Sequence, residues 1–226
     1  MQEINFFPLI LSFKVSGIST AIAFFAGIPI AYYLSMKKNR IGNLIDSLLN
    51  LPIILPPTVL GYYLLVLLGR HSIIGKFLEK NFDIMIVFTP IGAVIAATVV
   101  SIPYLIKAVK VSFQEIDEDY LNAARVIGKT EIEIFFTITM PIAWRGIFSG
   151  ISMAFARALG DFGTTLMIAG SIPEETLTMP VAIYNALQAG DEKTANILVL
   201  IMTVIAVTTL FFIGQLSRKK RRGFNA

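Results

Sequence analysis

Five stretches of this chain are too long and too apolar to be packed inside a water-soluble domain of its size. A helix needs about 20 mostly apolar residues to cross the hydrocarbon core of a bilayer. Such runs lie at roughly 9–35, broken only by Lys14; at 44–69, with Asp46 near its start; at 84–106; at 142–159, which is short and extendable at either end; and at 195–216. Of 226 residues, 55% are hydrophobic and 15% charged, whereas an average soluble domain carries about 25% charged residues. Mean hydropathy is +0.74. The excess apolar surface needs lipid as its solvent. The expectation is an all-α, polytopic integral membrane protein: one transmembrane domain over 1–226, with about five to six spanning helices.

The segment 160–194 does not read as a simple crossing. Its apolar run, Phe162 to Ala169, is too short to span, and Pro173-Glu174-Glu175 interrupts the chain shortly beyond it. A re-entrant segment and then an interfacial helix fit better, because irregular backbone at membrane depth persists only where protein or a water-filled cavity satisfies it. A sixth crossing hidden here stays open.

Basic residues set the orientation. Lys37, Lys38 and Arg40, then Lys107, Lys110, Arg125, Lys129 and Arg145, then Arg218 to Arg222 fall on one side; Arg70, Lys76, Lys80 and Lys193 fall on the other. The richer side is expected in the cytoplasm. With five spans the N-terminus is then outside and the C-terminus inside the cell membrane. Residues 1–10 carry no Lys or Arg, so the basic region of a cleavable signal peptide is missing. The pI of about 9.3 reflects these loops rather than a nucleic-acid partner, and the terminal basic cluster suits anionic lipid.

The absence of Cys rules out disulfides, thiolate metal sites and Cys nucleophiles. His71 is the only histidine, so a His metal cluster within one chain is impossible. It lies in a polar connection without a supporting motif, and no catalytic, metal or cofactor-binding residue is expected.

The connection 107–145 is the most informative. Acidic residues at 115–119 precede Tyr120, Leu121, Ala123, Ala124 and Ile127, which share one side at helical spacing. Acidic side chains favour a helix N-terminus. Gly128 stands where a C-terminal cap is expected, and Thr130 with Glu133 makes a capping-box pattern for a second helix. Pro141 separates that helix from the fourth span. Two short helices joined at Gly128 are therefore expected, either as an ordered docking element or as amphipathic helices lying on the membrane. Gly128-Lys129-Thr130 resembles the end of a phosphate-binding loop, but Ala123 occupies the position of the required first Gly and a helix replaces the upstream strand, so ATP binding by this chain is not expected.

Asn122-Ala123-Ala124, three residues, Gly128, nine residues, then Ile138-Thr139-Met140-Pro141 is similar in spacing throughout to the EAA motif of ABC importer permeases, with Asn122 in place of Glu and Met140 in place of Leu. Leu55 to Tyr63, with Pro56-Pro57-Thr58, Leu159 to Gly170, and Ile183 to Gln188 resemble segments of molybdate and tungstate permeases, and the sulfate/thiosulfate permeases are close in the same places. The resemblance implies a type I ABC importer permease without its own nucleotide site. It implies that Asn122, Ala123, Ala124, Gly128, Ile138 and Pro141 belong to an ATPase coupling element at about 118–136. It further implies a homodimer, two ATP-binding cassette subunits at the cytoplasmic face, and an external oxyanion-binding protein. The substrate implied is an oxyanion, molybdate or tungstate first and sulfate or thiosulfate as the alternative.

Within the membrane, Pro56 and Pro57 fall near the middle of the second run, where missing N–H groups disrupt the helix and Thr58 stands ready to serve freed carbonyls. This predicts a kinked pore-lining helix, or a bend buried against neighbours. Arg157 and Asp161, four residues apart, share a face if the fourth helix reaches that far. Either they form an internal ion pair or Arg157 contributes to an anion path. Lys14 is expected to snorkel toward the outer interface. Gly146 and Gly150 permit a close helix approach, at a subunit contact or elsewhere. A secondary transporter or channel needing no ATPase would instead show internal repeats or intramembrane carboxylates as coupling sites. No clear repeat is present.

Overall fold

The computed structural model describes residues 5–36 and 40–218. Lys37, Lys38 and the basic residues 219–222 lie outside them, as do residues 1–4. The described residues form helices and connecting turns, with no strand among them.

Helix α1 (Phe7–Met36) is about 45 Å long at 1.5 Å per residue. Its buried stripe is made largely of small residues, from Ser12, Ser16, Ser19 and Ala23 to Gly27 and Ala31, and these let α5 (Pro90–Gln114) approach closely. A Cβ at Gly27 would stand 2.8 Å from Leu105 Cδ2, and Ser19 Oγ donates to the Val94 carbonyl of α5 at 3.0 Å. Thr89 caps α5 and Pro90 opens it, where the missing N–H costs nothing. Helix α8 (Met140–Leu159) completes the central three. Gly146 lies against Ser112 and Gly150 against the Leu105 carbonyl. The small-residue pair is thus used for α5–α8 packing within the chain.

The second apolar run is a broken pair rather than one kinked helix. Between helices α2 (Arg40–Ile54) and α3 (Pro57–Leu68) the chain bends by 114°. Each is too short to cross alone, about 22 and 18 Å. Pro56 is extended (φ −54°, ψ 138°), and its carbonyl accepts from the Val59 and Leu60 N–H groups to start α3. Consecutive prolines remove two ladder bonds in a row, and the chain turns instead of bending. Lys110 Nζ holds Asp46 Oδ2 at 3.0 Å, fixing α2 to the end of α5.

Helix α4 (Ile73–Phe82) joins α3 to α5 at the opposite end, with Arg70 paired to Glu79 at 2.7 Å. The third span begins at Pro90, later than the apolar run suggests, because Ile84 to Val87 form an apolar loop. Beyond α5, α6 (Glu118–Val126) turns into α7 (Glu131–Ile134), then a π-turn (Phe135–Thr139), then α8. These last three are continuous, Glu131–Leu159. Pro141 sits inside this helix, at the start of α8, not in a break before it. The widened turn accommodates a residue with no N–H to give. After α8 come α9 (Gly163–Ala169), α10 (Met179–Gln188) and α11 (Glu192–Arg218). The first N–H of α10, at Met179, donates to Ser12 Oγ of α1 at 2.8 Å. Among the described residues, four helices are long and apolar enough to cross a membrane, or five if the bent pair is one span.

Candidate functional site

Two assemblies stand at opposite ends of the bundle. The first is built on α6 and α7. Asp117 caps α6 by accepting from the Asp119 N–H at 3.0 Å. The helix ends at Gly128, whose φ of +86° lies in the region that glycine adopts without a Cβ penalty. Gly128 N–H reaches the Arg125 carbonyl at 3.0 Å and Lys129 N–H the Ala124 carbonyl at 3.1 Å. These two bonds make a Schellman termination. Thr130 then opens α7 in a capping box with Glu133, N–H to Oε2 at 2.8 Å and the return bond at 3.3 Å. Lysine and threonine of Gly128-Lys129-Thr130 are therefore occupied: Lys129 Nζ donates to Thr137 Oγ1 at 3.2 Å.

Arg125 spans the turn. Its Nε and Nη2 meet the two Glu131 oxygens at 2.7 and 3.2 Å, and Nη1 meets Asn122 Oδ1 at 2.9 Å. The Glu131 carboxylate raises the guanidinium pKa further above its high ordinary value. Asn122, where the motif has Glu, so accepts from Arg125 as a neutral group. Sequence reasoning missed this staple; the available signal was an Arg and a Glu flanking Gly128 at six residues' separation.

The face predicted for α6 divides in two. Leu121 and Ala124 are buried and join the core with Ile134, Val109 and Phe113. Tyr120 and Ala123 are exposed, with Val126 at 86%, Ile127 at 75% and Ile132 at 72%. These apolar side chains are exposed among the described residues. Tyr32 of α1 stacks edge-on against Phe113 and Phe135, centroids 5.8 and 4.7 Å apart, and anchors the segment from below. Ile138, half-buried, and exposed Pro141 lie on the continuous π-turn and α8 helix, away from Asn122, Ala123 and Gly128.

The second assembly is where α3 crosses α9. Glycines set the approach. A Cβ at Gly61 would lie 2.6 Å from Met167 Cβ, and one at Gly163 would lie 2.9 Å from Pro57 Cβ. The structure thus brings Pro57 and Thr58 beside the 160–170 segment. Pro56, Pro57 and Thr58 are themselves exposed on the single chain. Helix α8 stops at Leu159 and Gly160 caps it, so Asp161 lies beyond the helix that carries Arg157. The pair nonetheless forms, Arg157 Nη1 to Asp161 Oδ1 at 3.2 Å. Asp161 Oδ2 accepts from the Thr165 N–H at 3.0 Å and the Thr165 hydroxyl at 2.8 Å, fixing the first turn of α9. Lys14 is exposed on α1, two turns from its N-terminal end.

A broken apolar helix pair with a short helix packed on it, and a helix–glycine–helix element with exposed apolar side chains, are carried by helices long and apolar enough to cross a membrane, which places the chain among polytopic membrane proteins. Solved structures share this architecture. The inward-facing MetNI methionine ABC transporter superposes with a TM-score of 0.74 at 16% identity, over 96% of this chain and 98% of that one. A bacterial ABC transporter importing the acidic polysaccharide alginate gives 0.79 at 15%, over 98% and 82%. Residues 23–222 match the family described as binding-protein-dependent transport system inner membrane component, and the chain belongs to that family. It is similar to the molybdenum transport system permease protein ModB of Escherichia coli K12, 39% identical over 214 residues, 94% of this chain and 93% of that protein. The ModB of Haemophilus influenzae is 35% identical over 226 residues, 98% and 96% of the two chains.

Proposed function

We propose that this chain is the membrane-spanning permease of an ABC importer for molybdate or tungstate. The observation that carries the substrate is the near full-length similarity to proteins named as molybdenum permeases. In this reading the 118–136 element, with Asn122, Ala123, Ala124 and Gly128, docks a separate ATPase through the exposed residues of α6. The chain itself holds no nucleotide, since the residues that imitate a phosphate loop serve as helix caps. Two copies enclose the path, because Pro56, Pro57, Thr58 and the exposed side of α3 face outward from one chain. The α6–α7 end lies in the cytoplasm and α4 outside, in keeping with the distribution of Lys and Arg. An external binding protein delivers the oxyanion to the α4 end.

The mechanism rests on the rigid connection. Closure of the ATPases on ATP moves the docked α6–α7 pair; the Arg125–Glu131 staple and the Tyr32 cluster pass that movement to α1, α5 and α8. Turning of the two copies alternates access to the path at the α3–α9 crossing, and hydrolysis resets it. The test is uptake of labelled molybdate by proteoliposomes holding the permease, its co-expressed ATPase and the binding protein. ATP-dependent uptake competed by tungstate and not by sulfate is expected. Competition by sulfate at equal concentration assigns the chain to sulfate transport instead, and uptake without the ATPase sinks the ABC mechanism.

A further inference from the structure

The carboxylate of Asp161 divides its two oxygens between two elements. Oδ1 takes Arg157 of α8 at 3.2 Å; Oδ2 takes the backbone and hydroxyl of Thr165 on α9, at 3.0 and 2.8 Å. The Asp161 side chain is 1% exposed and that of Arg157 is 24% exposed. A buried anion therefore matches a cation that reaches the open surface of the chain. Between Asp161 and Thr165 lies Gly163, seated against Pro57, and Thr164 approaches Gly61 of α3.

We infer that Asp161 is a positioning residue with two separable roles: it holds α9 in place under α3, and it cancels the charge of Arg157 so that the transported oxyanion is released rather than retained. This rests on the reading of the chain as an oxyanion permease. A free guanidinium binds tetrahedral oxyanions through paired charge-assisted hydrogen bonds. Conduction requires sites weak enough to leave. A carboxylate already engaged with Arg157 lowers the attraction without removing the guanidinium's donors. The Thr165 bonds show why the carboxylate stays: Asp161 is anchored on α9 independently of Arg157, so the ion pair is not free to rotate away when an anion passes.

Asp161→Asn separates the two roles, since the amide oxygen still accepts from Thr165 while the charge is gone. Three proteins are compared as full-length chains with the ATPase bound: native, Asp161→Asn, and Arg157→Gln/Asp161→Asn. Equilibrium binding of radiolabelled molybdate, and separately of sulfate, is measured in detergent without the binding protein. Asp161→Asn is expected to bind about tenfold or more tightly than native, the gain of one unmatched charge near the ligand, and the double variant, which has lost the guanidinium donors as well, to fall to the native level or below it. In proteoliposomes KM and kcat for molybdate should drop together in Asp161→Asn and recover in the double variant. Unchanged anion binding in Asp161→Asn overturns the inference. So does a double variant that behaves like the single one, or a loss of thermal stability with no change in binding, which leaves Asp161 as a helix cap alone. If the native assembly imports no oxyanion yet Asp161→Asn gains Arg157-dependent binding, the permease assignment fails while the charge-matching role stands.

Discussion

Replacing Gly128 by Leu isolates the geometry of the turn between α6 and α7. At φ +86° any residue with a Cβ is strained by about 1 kcal/mol or more. A Cβ built there meets nothing within 4 Å, so the whole cost is backbone strain and Ala should behave like Leu. Relief requires a negative φ, which breaks the Schellman bonds from Gly128 and Lys129 and draws Arg125 away from Glu131, because the staple straddles the turn. A strain of about one to two kcal/mol shifts the population of the docking geometry by a factor of about 5–30. The expected phenotype is normal membrane abundance, ATPase retention in detergent pull-down reduced about fivefold or more, and substrate-stimulated hydrolysis reduced with it. Gly128→Asn should be milder, since Asn enters the left-handed region more readily. Quantitative pull-down and coupled uptake–hydrolysis assays measure all three. Full coupling in Gly128→Leu with the ATPase bound would refute both the strain argument and the docking role of 118–136.

Three further outcomes are expected. In a chain without native Cys, Asn81→Cys should react with an impermeant thiol reagent on intact cells and Val126→Cys only after permeabilisation; the reverse pattern inverts the orientation. Gly61→Val places atoms inside Met167, with Cβ already 2.6 Å from its Cβ, and should cost about 1–3 kcal/mol as overpacking, read as a lower thermal midpoint in detergent together with lost uptake. Thr194 hydrogen bonds, side chain and then backbone, hold the Asp191 carboxyl below its ordinary value at the start of α11. A depressed carboxyl contributes stability that is present above its ordinary pKa of about 3.9 and lost as pH falls through the lower folded value. Acid titration monitored by hydrogen exchange of the first turn should therefore show loosening only below about pH 4, and Asp191→Ala should abolish that dependence.

The elements legible in the sequence are those fixed by local chemistry. Apolar run length located α1, α5 and α11; the Gly128 turn and the Thr130–Glu133 box came from the residues alone. Long-range geometry was not legible. Pro56-Pro57 announces a disrupted helix, but not a turn of 114°, and the fit of Gly61 to Met167 and Gly163 to Pro57 joins residues about a hundred positions apart. Gly146 and Gly150 signalled a close approach without naming α5 as the partner. The loop 84–87 looked like the start of a span because hydropathy does not distinguish an apolar loop from an apolar helix. Leu121 and Ala123 were expected on one helical side, yet one is buried and the other exposed, because residues two apart on a helix point about 160° away from each other.

A π-turn is an α-helix carrying one residue too many. Removing one residue between Phe135 and Thr139 would restore the regular helix and leave its two flanks nearly in phase, because the wide turn absorbs the extra residue locally. Tyr120, Val126 and Ile127 would keep their present direction. Removing a residue from the regular part of α8 would instead swing them by about 100°. The π-turn is therefore the place where this helix can change length without turning the surface that lies upstream of it.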